Sequence, residues 1–239
     1  MRMLLLLLGL CAQPLRANDC VILLHGLART PASMQAMESA LLAQGYAVSN
    51  PGYRSREASI ALLAEEAMAT GLDQCTAHSP ERIHLVTHSL GGILVRQYLY
   101  DHPQTEIARV VMLGPPNQGS QIVDHLRDSP GFGWLNGPAG LQLGTAERSV
   151  PKSLGPVAFE LGVIAGTFSV NPILSTHLPE PNDGKVSVAA TRVSGMADHL
   201  SLPTSHTFMM RNPEVIAQTL HFLRYGQFDR VADSEAGDE

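Results

Sequence analysis

Apolar residues fall in short runs, separated by stretches in which they recur at helical spacing. Val21-Ile22-Leu23-Leu24 is a continuous apolar run, as expected of a strand buried on both faces of a parallel sheet. His25-Gly26-Leu27 ends it. Thr30-Pro31 reads as an N-cap followed by proline at the first helical position. The helix that follows carries Met34, Met37, Leu41 and Leu42 on one face and stops at Gly45. Tyr46-Ala47-Val48 is a second strand, closed by Asn50-Pro51-Gly52. Ser59 caps a second helix, with Ile60, Leu63 and Ala67 inward and Glu65 and Glu66 outward. Ile83-His84-Leu85-Val86 then reads as a strand, and residues 93–99 as a helix ending near Asp101-His102-Pro103. Arg109-Val110-Val111-Met112-Leu113 is a strand broken by Gly114, and residues 161–166 and 197–202 are two more. Residues 186–190 fit a short helix or a strand. Asn212-Pro213-Glu214 starts a last helix, with Ile216, Leu220 and Leu223 inward and Gly226 at its end. This alternation predicts an α/β fold with a mainly parallel central sheet flanked by helices. Sites in such sheets lie at the carboxyl ends of the strands.

Three stretches depart from the alternation. Residues 117–156 mix Gly, Pro and Ser with short apolar patches and hold the only tryptophan, Trp134. They read as a cap or lid insertion, the alternative being a long surface loop. Residues 1–17 combine Arg2, an apolar run and Leu15-Arg16-Ala17, the pattern of a cleaved signal peptide. The run is about half the ~20 residues of a membrane-spanning helix. Residues 227–239 are polar and acidic and read as a disordered tail. One domain over 18–226 remains, expected to be exported to the periplasm or secreted.

Composition narrows the class. The chain has 239 residues, 44% of them hydrophobic and 16% charged, enough for one sizeable core. Its formal charge is −6 and no basic run stands out, which argues against nucleic acid as a partner. Beyond Cys11 in the leader, two cysteines remain, Cys20 and Cys75. An even count in an exported protein suggests a disulfide; the alternative is two unrelated thiols. If the strands at 21–24 and 83–86 are parallel neighbours, both cysteines sit at one end of the sheet. The long enclosed loop would then be worth on the order of 4 kcal/mol in the chain-entropy model.

The candidate chemistry starts at Thr87-His88-Ser89-Leu90-Gly91-Gly92, between a strand and a helix. A serine there, with Gly91 relieving the sharp turn, has the layout of a nucleophile elbow. Thr87 departs from the Gly that the pattern asks for; either Gly91 and Gly92 relieve the helix side or the hydroxyl has a local partner. A hydroxyl needs a base to take its proton and a third group to orient that base. Among ten histidines, His206 follows the last strand and precedes the last helix, and it is favoured over His199, which belongs to the strand. His25 is read as structural, and His88 as pointing away from the serine. Asp183, in Asn182-Asp183-Gly184, is the favoured acid; a plain turn aspartate and Asp198 are the alternatives. Backbone N–H groups of Leu27 and Leu90 are the candidate oxyanion donors.

With His25-Gly26-Leu27, His88-Ser89-Leu90-Gly91-Gly92, Asp183-Gly184 and Ser205-His206 in this order, the chain resembles the α/β-hydrolase superfamily, in particular small bacterial lipases and esterases. Residues 116–120 also resemble the segment after the next strand in many lipases. The resemblance implies that strands 21–24 and 83–86 are neighbours, which supports a Cys20–Cys75 bridge. It implies ester hydrolysis through an acyl-enzyme, with Ser89 as nucleophile, His206 as base and Asp183 as orienting acid, and no metal or organic cofactor. Some lipases of this group hold a structural calcium; no ligand cluster in this sequence compels one. The apolar residues of the insertion (Phe132, Trp134, Leu135, Leu141, Leu143) fit an acyl chain better than a charged substrate. A lipid or other acyl ester is the expected substrate, with transient contact to a lipid interface left open. Thioester, amide or acyl-transfer chemistry on the same triad is the alternative. A non-catalytic binding protein of the same fold is the reading of another class; it predicts a missing triad member, and none is missing.

Overall fold

The computed structural model describes residues 18–230. The expected signal peptide lies outside the described residues. In chain order the elements are β1 (Asp19–Leu24), a 3-10 turn (Pro31–Met34) running into α1 (Gln35–Ala43), β2 (Ala47–Ser49) and α2 (Ile60–Thr76). Next come β3 (Arg82–His88), α3 (Leu90–Asp101) and β4 (Arg109–Leu113). Three short helices follow, α4 (Gln121–Leu126), α5 (Phe132–Leu141) and α6 (Val150–Ser153). The chain continues through β5 (Leu161–Gly166), α7 (Pro172–Ser175), α8 (Val188–Thr191), β6 (Asp198–Leu202) and α9 (Pro213–Tyr225). The strands form a six-stranded sheet in the order β2-β1-β3-β4-β5-β6, every pairing parallel.

The continuous apolar runs take the central places. Cys20, Val21, Ile22, Leu23 and Leu24 are all fully buried, because alternate side chains face different helix layers. Ile22, Leu24 and Leu85 pack with Leu63 and Met68 of α2 and Leu94 of α3. Val21, Leu23, Val86 and Val111 pack on the other face with Met37 and Leu41 of α1 and Phe222 and Leu223 of α9. Cys20 and Cys75 are disulfide-bonded, with Cα atoms 5.7 Å apart. The bond ties the first strand to the end of α2.

Three local expectations are corrected, and one open alternative is decided. Thr30 sits before Pro31, but its side chain caps nothing. Leu42 points to solvent at 53% exposure, since α1 buries only Met37 and Leu41. Residues 186–190 resolve into the short helix α8, begun by Ser187, whose hydroxyl accepts from the Ala190 N–H. The tail expected over 227–239 is packed at its start. Phe228 is buried against Phe222, and Arg230 makes a two-pronged ion pair with Asp198. Residues 231–239 lie outside the described residues.

The insertion is fastened by a buried arginine. Arg96, inside α3, donates to the Asn117 carbonyl (3.0 Å) and side-chain oxygen (3.2 Å) and to the Gly155 carbonyl (2.7 Å). It thus holds both ends of the 117–156 stretch. Burial lowers its pKa to about 10, so the guanidinium stays charged at neutral pH.

Two histidines record burial as a pH dependence. Burial pushes His84 down to about 4, against the pull of Asp19. Burial, with the Arg192 charge, holds His199 at about 4. In the unfolded chain both titrate near 6.5. Between these values the unfolded state binds protons that the folded state refuses. Stability contributed by their neutrality is complete above about pH 6.5 and is lost as the pH falls towards 4. Thermal unfolding followed from about pH 7.5 down to about 4.5 should show a falling Tm. A flat profile would contradict the burial of neutral imidazoles.

Candidate active site

β3 delivers Ser89 to a turn that few residues tolerate. Its backbone has φ 53° and ψ −119°, outside the regions open to most L-residues. The turn is braced on both sides, by the Ser89 N–H donating to the Leu113 carbonyl (2.9 Å) and the Gly92 N–H donating to the Ser89 carbonyl (3.0 Å). Gly91 lets α3 approach β1. A Cβ there would stand 2.5 Å from the Leu24 carbonyl oxygen, so no side chain fits. Thr87 is fully buried, and its hydroxyl has no hydrogen-bond partner. Of the two accounts of this departure from Gly, relief on the helix side by Gly91 and Gly92 is the one the packing favours.

His206 and Asp183 arrive from separate loops. His206 follows β6 and reaches Ser89, its Nε2 3.0 Å from Oγ. Its Nδ1 lies 2.7 Å from the Asp183 Oδ2. With Nδ1–H donating to the carboxylate, Nε2 is left free to accept from the serine hydroxyl. The other oxygen of Asp183 accepts the N–H groups of Lys185 (2.9 Å) and Val186 (2.8 Å), which fixes the carboxylate within its own turn. The His206 N–H also donates to the Asp183 carbonyl (3.1 Å), so main chain and side chain both join the two loops. Gly114, at the end of β4, has φ +54°. A Cβ at this position would lie 3.0 Å from the Asp183 carboxylate and 3.2 Å from the His206 ring. Glycine therefore leaves the space that the pair occupies.

The rivals stand elsewhere. Asp198 begins β6, at the other end of that strand, and Arg230 and the Phe228 N–H occupy its carboxylate. His199 bonds the Thr191 hydroxyl at 2.9 Å. His25 is buried and stacks on Tyr53, with ring centroids 4.0 Å apart, and the Tyr53 hydroxyl donates to the His25 carbonyl. His88 has a part that its position next to the serine does not announce. It is buried, its ring lies 4.7 Å from that of His206, and its Nε2–H donates to the His206 carbonyl at 2.9 Å. Burial keeps it well below the usual histidine range, and the neighbouring His206 adds to this. It supports the base loop as a neutral donor. Only the alternation of β3 hinted at this, because His88 shares a face with His84 and Val86 rather than with Thr87.

Leu27 and Leu90, the expected oxyanion donors, stand on two segments beside Ser89. Leu90 is the first residue of α3, so its N–H has no intrahelical acceptor. Leu27 lines the same cavity as Ser89. One residue earlier, a Cβ at Gly26 would stand 3.2 Å from the Ser89 Cβ, so the loop after β1 passes directly over the serine.

Ser89 and His206 open into a cavity of about 280 Å³. Ile122, Val123, Leu126, Phe132, Leu135 and Leu143 of the insertion line it, with Leu174 of α7. Trp134 does not; it points outward from α5 at 87% exposure. Leu141 also lies off the lining. Among the described residues, no group of three or more His, Cys, Asp or Glu could hold a metal ion.

The sequence model of the alpha/beta hydrolase family matches residues 21–233. No curated protein sequence matches the chain. Among solved structures, the mature form of a lipase from Bacillus licheniformis superposes with TM-score 0.67 at 18% identity, covering 88% of this chain and 92% of that one. A phospholipase from Legionella pneumophila superposes with TM-score 0.71 at 16% identity, over 88% of this chain and 61% of that one. A structure described with two metagenome-derived lipolytic enzymes gives TM-score 0.57 at 17% identity, over 87% and 94%. At these identities the likeness is one of fold.

The unpartnered hydroxyl at Thr87 yields a test of the elbow's packing. Thr87→Val removes a buried polar atom while keeping the branched shape, so urea unfolding should show stability unchanged or raised by about 1 kcal/mol. A loss larger than that would show that the hydroxyl does find a partner.

Proposed function

The chain belongs to the alpha/beta hydrolase family, and from that premise we propose that it is a serine hydrolase of carboxylic esters working through an acyl-enzyme. One observation carries the reading: the unbroken hydrogen-bond line from Asp183 through His206 to Ser89, at the wall of a largely apolar cavity. Ser89 Oγ attacks the acyl carbonyl as its proton passes to His206 Nε2. Asp183 holds the imidazole in the right tautomer and stabilises the imidazolium that forms. The Leu27 and Leu90 amides receive the oxyanion; loss of one such donor typically raises a barrier by roughly 3 kcal/mol. His206 returns the proton to the leaving alcohol, then activates water for attack on the acyl-enzyme. No cofactor enters this scheme.

The insertion is the cap in this reading, and its apolar residues receive the acyl chain. Exposed Trp134, Leu135 and Ile173, on the helices that bear cavity-lining residues, suit transient contact with a lipid interface. The disulfide fits an oxidising compartment, in keeping with export to the periplasm or beyond. Among the described residues, no helix is long and apolar enough to cross a membrane. The same three side chains would also serve a thioester, an amide or acyl transfer, so the leaving group rests on the cap.

A fluorophosphonate probe should label Ser89 in the folded protein, and Ser89→Ala should abolish both labelling and turnover of p-nitrophenyl esters. Absence of labelling, with a control hydrolase reacting, favours the non-catalytic binding protein instead. His206→Ala should cut kcat by several orders of magnitude with folding intact, whereas His199→Ala should leave kcat within a few-fold. The reverse pattern would transfer the role of base to His199.

A further inference from the structure

The wall of the Ser89 cavity is not apolar throughout. The insertion and α7 supply hydrocarbon, but the loop after β1 adds Arg29 and the loop after Asp183 adds Lys185. We propose that the substrate is an acyl ester whose alcohol part carries an anionic oxygen group, a phosphate foremost, which Arg29 and Lys185 bind beside Ser89. This rests on reading Ser89 as the nucleophile of an ester hydrolase.

Among the described residues, no Asp or Glu lines the cavity beside these two. Among them, too, neither Arg29 nor Lys185 forms an ion pair with a carboxylate, although the chain has 22 acidic residues against 16 basic. The carboxylate nearest to Lys185 in sequence, Asp183, has both oxygens engaged, one by its own turn and one by His206. The two cations also feel each other. Desolvation, then the like charge of Arg29, holds the Lys185 ammonium below its usual range, with Asp183 pulling the other way. Two neighbouring cations whose nearby carboxylate is already engaged by other donors form a site that an anion relieves.

Their placement couples them to the reaction centre. Arg29 lies two residues after Leu27, in a turn closed by its own N–H on the Gly26 carbonyl (3.2 Å) and by the Ala28 N–H on the Ser55 hydroxyl (3.0 Å). Lys185 lies two residues after Asp183, its N–H on that carboxylate. Each side chain thus starts from a segment already fixed by the site. A guanidinium fork matches the oxygens of a phosphate or carboxylate, and an ammonium adds a point charge. An acyl chain against the insertion and an anion against these loops would place an ester between them.

The test uses a matched pair, monobutyrylglycerol and its 3-phosphate, both soluble as monomers. The wild-type protein should favour the phosphate ester in kcat/KM by roughly tenfold or more, mainly through KM, the scale of one charge-assisted contact. The ratio should shrink as ionic strength rises. In the double variant R29Q/K185Q it should collapse towards one. Because the ratio is taken within one protein, a general loss of activity cancels. A long-chain pair in micelles distinguishes the sources. Preference in both series assigns the site to phosphate as such, and preference only in micelles to a lipid headgroup. Equal turnover of both pairs, soluble and micellar, by the wild type, a preference for the neutral ester, or a ratio retained in the double variant overturns the proposal while leaving the hydrolase reading intact. No turnover of either ester or of p-nitrophenyl butyrate, together with no fluorophosphonate labelling, overturns both.

Discussion

Ser89 holds a backbone conformation that costs an L-residue roughly 1–3 kcal/mol, and the packing around it must supply that energy. The requirement explains several features of the sheet at once. β3 is central, so the turn hangs from a strand hydrogen-bonded on both sides. Gly91 brings α3 against the Leu24 carbonyl, leaving the helix no room to relax away. The Ser89 N–H is tied to the end of β4. Leu90 and Ile93, fully buried in the same core as Ile22 and Leu85, anchor the helix behind the turn. A serine hydroxyl at such a turn is half-exposed and cannot be withdrawn into the core.

The other two members of the hydrogen-bond line obey a different logic. Asp183 and His206 stand on loops, where backbone freedom is high, so each is over-determined by local bonds. The carboxylate closes its own turn before it meets the imidazole. The imidazole loop is held by its N–H on the Asp183 carbonyl and by His88 on its own carbonyl. Rigidity is thus built by polar contacts on the loops and by apolar packing at the elbow. The bare face of Gly114 is where the two systems meet.

Much of this was readable in the sequence, because it depends on short-range pattern. The strands β1 to β5 follow from apolar runs, and Ser89, Asp183 and His206 follow from their positions just beyond strands or within a turn signal. What was not readable depends on long-range contact. Nothing near Arg96 announces that it fastens residues 117 and 155, since its partners are main-chain carbonyls far along the chain. Phe228 reads as tail because an acidic stretch surrounds it, yet an aromatic partner on α9 buries it. Trp134 reads as pocket lining because tryptophan is apolar, but it points away from the cavity that Phe132 and Leu135 of the same helix line. Leu42 fits the period of its helix and still misses the core, because α1 is short and meets the sheet along a narrow stripe.

The same distinction separates the two halves of the cavity. An apolar insertion is visible as composition, and it invites the inference of an acyl chain and nothing charged. Arg29 and Lys185 are single residues in unremarked loops, and only the fold brings them to one wall. Their chemistry matters because no carboxylate among the described residues lines the cavity beside them. In a protein of negative formal charge, local positive potential at the mouth of a low-dielectric cleft works against the overall field and draws anions to that point alone. Specificity for a charged alcohol and reactivity towards its acyl ester would then arise from the same two loops. Leu27 and Arg29 share one, and Asp183 and Lys185 share the other.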